Sequence, residues 1–340
     1  MRQTVGAMIR YRFGQDDLLR TRFAVSPLFE VVWSAHVLRR PDQAPLHGPW
    51  VADARECLAG LDWSMLDWLA NGYGRFGFVP DFITPPPATP LADVDGELER
   101  VRATPPEQVA REVGRRFEGR DVPAVVRPLL DEPAAGLDRL VAIMRAYWER
   151  VIEPWWPAIR ALLEADVVHR ARRLTAGGTI EVFGDLHRDV RWHDGAVEVD
   201  HRHEREVELR GRGLLLVPTV FAWPRVFAML DEPWQPALIY TPRGVGALWA
   251  PPEEPDPGAL DALLGRRRAA ILRELRAPAT TQDLAERLRA SPAGVSEHLG
   301  VLRRAGLVRA QRDGRRVLYV RTAAGEQVLR ARLGAGLAAP

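Results

Sequence analysis

Arginines crowd a short stretch near the C-terminus, where Arg309, Arg312, Arg315, Arg316 and Arg321 surround an Asp-Gly pair in "LVRAQRDGRRVLYVRT". Guanidinium groups at this density suit one chemistry above others, the forked grip on phosphate oxygens. Just upstream, "ASPAGVSEHLGVLRRAGLV" (290–308) carries Ser291, Ser296, Glu297, His298, Arg303 and Arg304. These side chains supply the donors, acceptors and cations that read base edges and hold a nucleic-acid backbone. The plain alternative is a basic but inert helical domain. Packing explains the leucines of such a domain, but not five arginines around one turn.

Other residue groups with chemical potential form weaker patterns. "GYGRFG" (72–77) has the spacing of a dinucleotide-binding loop, but that loop needs a strand before it and a helix after it. Here it follows the helical "SMLDWLAN" and runs into "FVPDFITPPP", so an ordinary glycine-rich loop is expected, and no cofactor. His187, His193, His201 and His203, with Asp185, Asp189 and Asp194, include good zinc ligands. Two histidines two apart on a strand share one solvated face, however, and "HRHERE" reads as a polar connection, so no metal is expected. Cys57, the single cysteine, excludes an intramolecular disulfide and any multi-thiolate site, and is expected to be a buried thiol. No P-loop, zincin or nucleophile-elbow motif occurs, no catalytic residue is assigned, and the chain is not expected to be an enzyme. Trp63, Trp68, Trp148, Trp155 and Trp156 mostly suggest core filling, yet they are also the candidates for lining a pocket for a small apolar effector.

The basic residues need a scaffold that projects them. Thr280 and Asp283 form a capping-box variant at the start of "TTQDLAERLRA", with Leu284, Ala285 and Leu288 as the buried stripe. A tight turn leads to a second helix. Ser291 caps it, Pro292 fits its first turn, Val295, Leu299 and Leu302 face in, and Gly306 ends it. Before both lies "LDALLGRRRAAILRELR" (260–276), expected as one helix with Leu263, Leu264, Ile271, Leu272 and Leu275 inward. Asp313-Gly314 between two alternating runs marks a hairpin. Three short helices followed by a basic hairpin describe a winged helix-turn-helix, with the 292–305 helix placed to enter a major groove.

Composition supports a two-part chain. From Gly258 onward 16 arginines face 7 acidic residues, whereas the preceding part is net negative within an overall charge of +2. All 11 Trp and 10 Phe precede residue 258. The expected organisation is an α+β N-terminal domain (1–250), a Pro-rich linker (251–257) and a basic aliphatic domain (258–340). In the first part, "AMIRYRF" reads as a strand and "SPLFEVVWSAHVLRR" as a helix capped by Ser26. Helical patterns follow at 51–70, 91–103, 105–117, 122–130, 134–150 and 158–174. "TIEVFGDL", "AVEVDHR", "EVELRGRGLLLVPTV", "RVFAML" and "PALIY" then suggest a small, mostly antiparallel sheet. No run of about 18 apolar residues and no signal-peptide pattern occurs. With a single cysteine, a reducing cytoplasm is expected.

The segment 280–322 resembles the DNA-binding domain of ArsR-type bacterial regulators. The resemblance lies in Val295-Ser296-x-His298-Leu299-x-x-Leu302, Ala305-Gly306-Leu307-Val308, Arg312-Asp313-Gly314-Arg315 and Tyr319. It implies that Ser296 and His298 lie at a DNA surface, and that a homodimer forms through the first and last helices, here 260–276 and roughly 323–333. "GRGLLLVPTVFAWP" and "RYRFGQDDLLRTRFAVSPLFEVVWSAH" resemble an uncharacterised N-terminal region of actinobacterial ArsR-like regulators. Metal-sensing members carry thiolates before the turn, or His and Asp in the last helix. "TQDLAERL" and "AAGEQVLRARLG" lack them, so metal sensing is not expected. The resulting expectation is a dimeric transcriptional regulator that binds double-stranded DNA at a palindromic operator. An enzyme fused to a DNA-binding module, and a basic module docking an acidic protein or RNA, are the alternatives.

Overall fold

The computed structural model describes residues 7–71, 78–201, 204–249, 258–313 and 316–330. The chain divides into two units, Met1–Trp249 and Ala250–Pro340. The expected linker at 251–257 lies outside the described residues.

The first unit begins with β1 (Met8–Arg12), α1 (Gln15–Arg20), β2 (Arg22–Phe23) and α2 (Pro27–Arg39). Helices α3 (Gly48–Cys57), α4 (Ser64–Ala70), α5 (Val94–Arg102), α6 (Pro106–Arg116), α7 (Pro128–Asp131), α8 (Pro133–Tyr147) and α9 (Trp156–Gly184) follow. The strands come last: β3 (Val190–His193), β4 (Ala196–Asp200), β5 (Arg205–Glu208), β6 (Leu215–Pro218), β7 (Phe227–Met229) and β8 (Ala237–Tyr240). The class is α+β, helices first and strands after.

Among the described residues these strands form two four-stranded sheets, not one. Their orders are β3-β4-β1-β5 and β2-β6-β8-β7. Pairing is mixed, since β1·β5, β2·β6 and β6·β8 are parallel. The reason is visible in burial. β6 and β8 are buried at every position, the pattern of strands covered on both faces. Leu215, Val217, Ala237 and Ile239 face the core built by the helices. The alternate residues Leu216, Leu238 and Tyr240 face a second core with Ile9, Tyr11, Val197 and Val199 of the other sheet. The Tyr11 hydroxyl donates to the Ala237 carbonyl at 3.1 Å and ties the two sheets.

Four local expectations change; the 122–130 pattern, for one, is helical only from Pro128, in α7. The 51–70 pattern is two helices, broken where Gly60 adopts φ +77. "TIEVFGDL" continues α9 beyond a kink at Gly178 (φ +72), because Val182 and Phe183 pack into the second core, with Phe183 stacked on Trp192 at 5.7 Å. A short apolar run suits either a strand or a buried helix, and packing decides. Cys57 is exposed at the end of α3, not buried.

Two buried carboxyls organise the entry and flank of α2. Ser26 caps the helix, accepting from the Phe29 amide, and donates to Glu97 at 2.6 Å; Glu97 also accepts from the Leu28 amide. Glu30 is fully buried and accepts from the Val220 amide at 2.9 Å. Burial pushes the Glu30 carboxyl up to about 8 and that of Glu97 to about 7. A carboxyl raised on folding holds its proton in the folded state while the unfolded chain has lost it, so stability falls as pH rises through this window. The Glu30→Gln protein is therefore expected to gain about 2 kcal/mol relative to wild type between pH 6 and pH 8. Urea unfolding followed by tryptophan fluorescence at both pH values checks this; a pH-independent difference refutes it.

The second unit contains α10 (Ala259–Leu264), α11 (Arg266–Glu274), α12 (Thr281–Arg287), α13 (Pro292–Arg304), β9 (Val308–Asp313), β10 (Arg316–Arg321) and α14 (Ala323–Arg330). The expected single helix at 260–276 is broken at Gly265, which has φ +82. That break turns Leu263 outward to 76% exposure instead of inward. The core consists of Ile271, Leu272, Leu275, Ala279, Leu284, Ala285, Val295, Leu299, Leu302 and Val308, with Tyr319, Val328 and Leu329 packed on it. Gly325 has no room for a side chain, because a Cβ there would collide with the Leu307 carbonyl.

Candidate nucleic-acid interface

Local chemistry fixes the α12–turn–α13 unit. The Thr280 hydroxyl accepts from the Asp283 amide at 3.2 Å, and the Thr280 amide donates back to the Asp283 carboxylate at 2.8 Å. The bond from the Thr280 amide, and after it the Thr280 hydroxyl, hold the Asp283 carboxyl below its ordinary range. At the other end of α12, the Ala290 amide reaches the Ala285 carbonyl at 2.9 Å and closes the turn. Ser291 then caps α13 through the Gly294 amide at 3.2 Å. The Ser291 side chain is exposed but committed to this cap.

On α13, Val295, Leu299 and Leu302 are buried. At 100° per residue, the direction opposite this stripe carries Ala293, Glu297, Gly300 and Arg304, with Ser296 and Arg303 on one shoulder. Ser296, Glu297, Arg303 and Arg304 are exposed, and His298 is half-buried. Ser296 and His298 project about 160° apart around the helix, so they reach opposite sides of whatever α13 meets. Ala293 and Gly300 leave the centre of the outward face low. That allows close approach; sequence patterning had placed Gly300 on the outward faces but had not singled out Ala293.

The hairpin divides its arginines. β9 and β10 pair antiparallel with Arg316 opposite Asp313, Val317 opposite Arg312 and Arg321 opposite Val308. Asp313 is therefore a strand residue and not part of the connecting pair; Gly314 and Arg315 lie outside the described residues. Paired residues share a face, and faces alternate along a strand. Arg312 lies on the side of Val308 and Tyr319, whereas Arg309, Gln311 and Arg316 lie on the other. Arg321 points inward to Glu326 at 3.1 Å with only 14% of its side chain exposed, which removes it from the outer surface. Arg309, Arg312 and Arg316 are exposed and make no ion pair among the described residues. Sequence reasoning missed two further exposed cations beside α13: Arg287, on the last turn of α12, and Arg289.

The remaining candidates do not assemble. His187 interacts with Asp189 (3.5 Å) and the Pro224 carbonyl (3.2 Å), and His193 faces Glu198 at 3.7 Å. Among the described residues, no group of three or more His, Cys, Asp or Glu side chains is arranged to hold a metal. His203 and the 72–77 loop lie outside the described residues. The five tryptophans all belong to the main core or pack against it. Trp148 meets Trp156 at 5.2 Å, Trp63 meets Tyr147, and Trp155 meets Trp249; Trp68 packs against the main core. Among the described residues, no helix is long and apolar enough to cross a membrane.

A family model described as a helix-turn-helix domain matches residues 266–311, the stretch from α11 into β9. A model described as a family of unknown function (DUF5937) matches residues 102–245. No curated protein and no solved structure matches the chain. The C-terminal unit is thus a helix-turn-helix domain of the DNA-binding, regulatory kind, carried on a chain whose first unit is similar to a family of unknown function.

Proposed function

We propose that this protein is an ArsR-like transcriptional regulator of the cytoplasm and not an enzyme. It binds duplex DNA as a homodimer at a roughly palindromic operator, with half-sites about one helical turn apart. The observation that supports this best is the division of α13. Its apolar stripe is consumed by the core, while Ser296, Glu297, Arg303 and Arg304 stay exposed around a low Ala293–Gly300 face. α13 enters the major groove. Arg312 and Arg316, on opposite sides of the ribbon, hold the flanking backbone or minor groove together with Arg315. The first unit modulates binding by preferring one spacing of the two reading heads, in response to a small effector or partner other than a metal ion. The tryptophans Trp63, Trp68, Trp148, Trp155 and Trp156 are the residues whose fluorescence would report such an effector.

The test is selection of preferred sequences from a random duplex library by the full-length protein. Ser296→Ala and Arg304→Ala are expected to change the preferred base at one position each, at about 1–3 kcal/mol per base pair. Arg316→Ala is expected to weaken all sequences alike. Enrichment of no sequence by wild type, or identical preferences for all three variants, sinks the reading.

A further inference from the structure

Arg289 stands in the turn between α12 and α13, and its backbone is in the left-handed region at φ +48. Among the described residues only Asp194 and Arg210 share this with it outside the glycines. The conformation is imposed by the closure of α12. The Arg289 amide donates to the Glu286 carbonyl at 3.2 Å, and the Ala290 amide donates past it to the Ala285 carbonyl at 2.9 Å. Glycine is the residue that fits such a helix end without strain, and a residue with a Cβ is held there at a cost. The side chain does nothing visible to offset that cost. It is exposed and makes no ion pair or hydrogen bond among the described residues. The arginine thus opposes local backbone preference with no compensating contact among the described residues of its own unit.

Its position suggests what compensates. Arg289 is two residues before the cap of α13 and follows Leu288, the C-cap of α12. In a docked helix-turn-helix, the first helix crosses the sugar-phosphate backbone and the second inserts its N-terminal end in the groove. A long cation at the bend between them is held at the rim of that groove, where phosphates line up. Resting on the DNA-binding reading above, we propose that Arg289 is a DNA phosphate-binding residue, a backbone clamp that fixes how α13 enters the groove. It carries no base specificity and sets register and depth.

The experiment uses the full-length protein and a duplex carrying its selected sequence, comparing wild type with Arg289→Gly, Arg289→Ala and Arg289→Lys. Affinity is measured from 50 to 300 mM salt. Unfolding of the second unit is followed by the part of the circular-dichroism transition that tryptophan fluorescence does not share, because every tryptophan precedes residue 258. Arg289→Gly is expected to bind roughly 5- to 10-fold more weakly near 0.1 M salt, with the log–log salt slope shallower by about 0.9 per engaged subunit. The same variant is expected to melt several degrees higher, because the left-handed strain is relieved. Arg289→Ala should lose the same affinity without the gain in melting temperature, and Arg289→Lys should keep most of the salt slope. Weaker binding by a more stable protein cannot be ascribed to misfolding. Wild-type binding with unchanged affinity and slope in Arg289→Gly and Arg289→Ala overturns the clamp alone. Failure of wild type to bind duplex DNA overturns the DNA-binding reading and the clamp with it.

Discussion

Duplex affinity of the full-length protein is expected to fall by roughly 10³- to 10⁵-fold between 50 and 200 mM salt. The magnitude follows from the surface of the second unit. Arg287, Arg289, Arg303, Arg304, Arg309, Arg312 and Arg316 are exposed and make no ion pair among the described residues. Their unfulfilled donors are available to displace counterions from phosphates. If three to five of them engage in each subunit of a dimer, about six to ten phosphates are neutralised, which gives that range. Titration of a labelled duplex by fluorescence anisotropy at four salt concentrations measures the slope. A log–log slope shallower than about −2, or binding that prefers single-stranded RNA or an acidic peptide, contradicts the proposed mode of recognition.

Asp166→Ala is expected to destabilise the first unit by about 3–5 kcal/mol, the cost of leaving a buried charge without its partner. Asp166 and Arg170 on α9 pair at 2.8 Å with side chains 0% and 1% exposed. The same carboxylate accepts from the Tyr240 hydroxyl at 2.8 Å and the Arg243 amide at 3.0 Å. Arg170 also reaches the Asp185 carbonyl at 3.3 Å, and its guanidinium stacks 4.7 Å from the Tyr240 ring centroid. Burial, and then the Asp166 charge, push the Tyr240 hydroxyl well above its ordinary range, so it stays a donor. One carboxylate thereby holds α9 against β8 and against the turn that follows it. Removing it strands a guanidinium and a phenol in a dry site. Adding Arg170→Met to Asp166→Ala should restore part of the loss, because the stranded charge is then gone. Urea unfolding read by tryptophan fluorescence reports this unit specifically. A loss under 1 kcal/mol in the single variant, or strict additivity in the double, would show that the pair does not act as a clamp.

The α12–turn–α13 unit was legible in the sequence, and for a local reason. Caps at Thr280 and Ser291, the spacing of Val295, Leu299 and Leu302, and the stop at Gly306 all act within one or two turns of chain, so their meaning does not depend on distant partners. The apolar runs "LLLVP" and "PALIY" were equally visible as strands, yet their parallel partners were not. Parallel neighbours come from far along the chain, and continuous burial on both faces leaves no alternating pattern to orient them.

The amino-acid sequence by itself determined that the C-terminal part is small, basic and built as helix–turn–helix–hairpin, because propensity, capping and periodicity agree there. Only the tertiary structure decided which cations look outward. Strand register placed Arg309 and Arg316 on one side of the ribbon and Arg312 on the other, and the start of α14 drew Arg321 in to Glu326. It also decided that Leu263 is exposed and that Arg289 sits in a left-handed bend. Side-chain direction is set by what lies across the fold, and composition does not encode that.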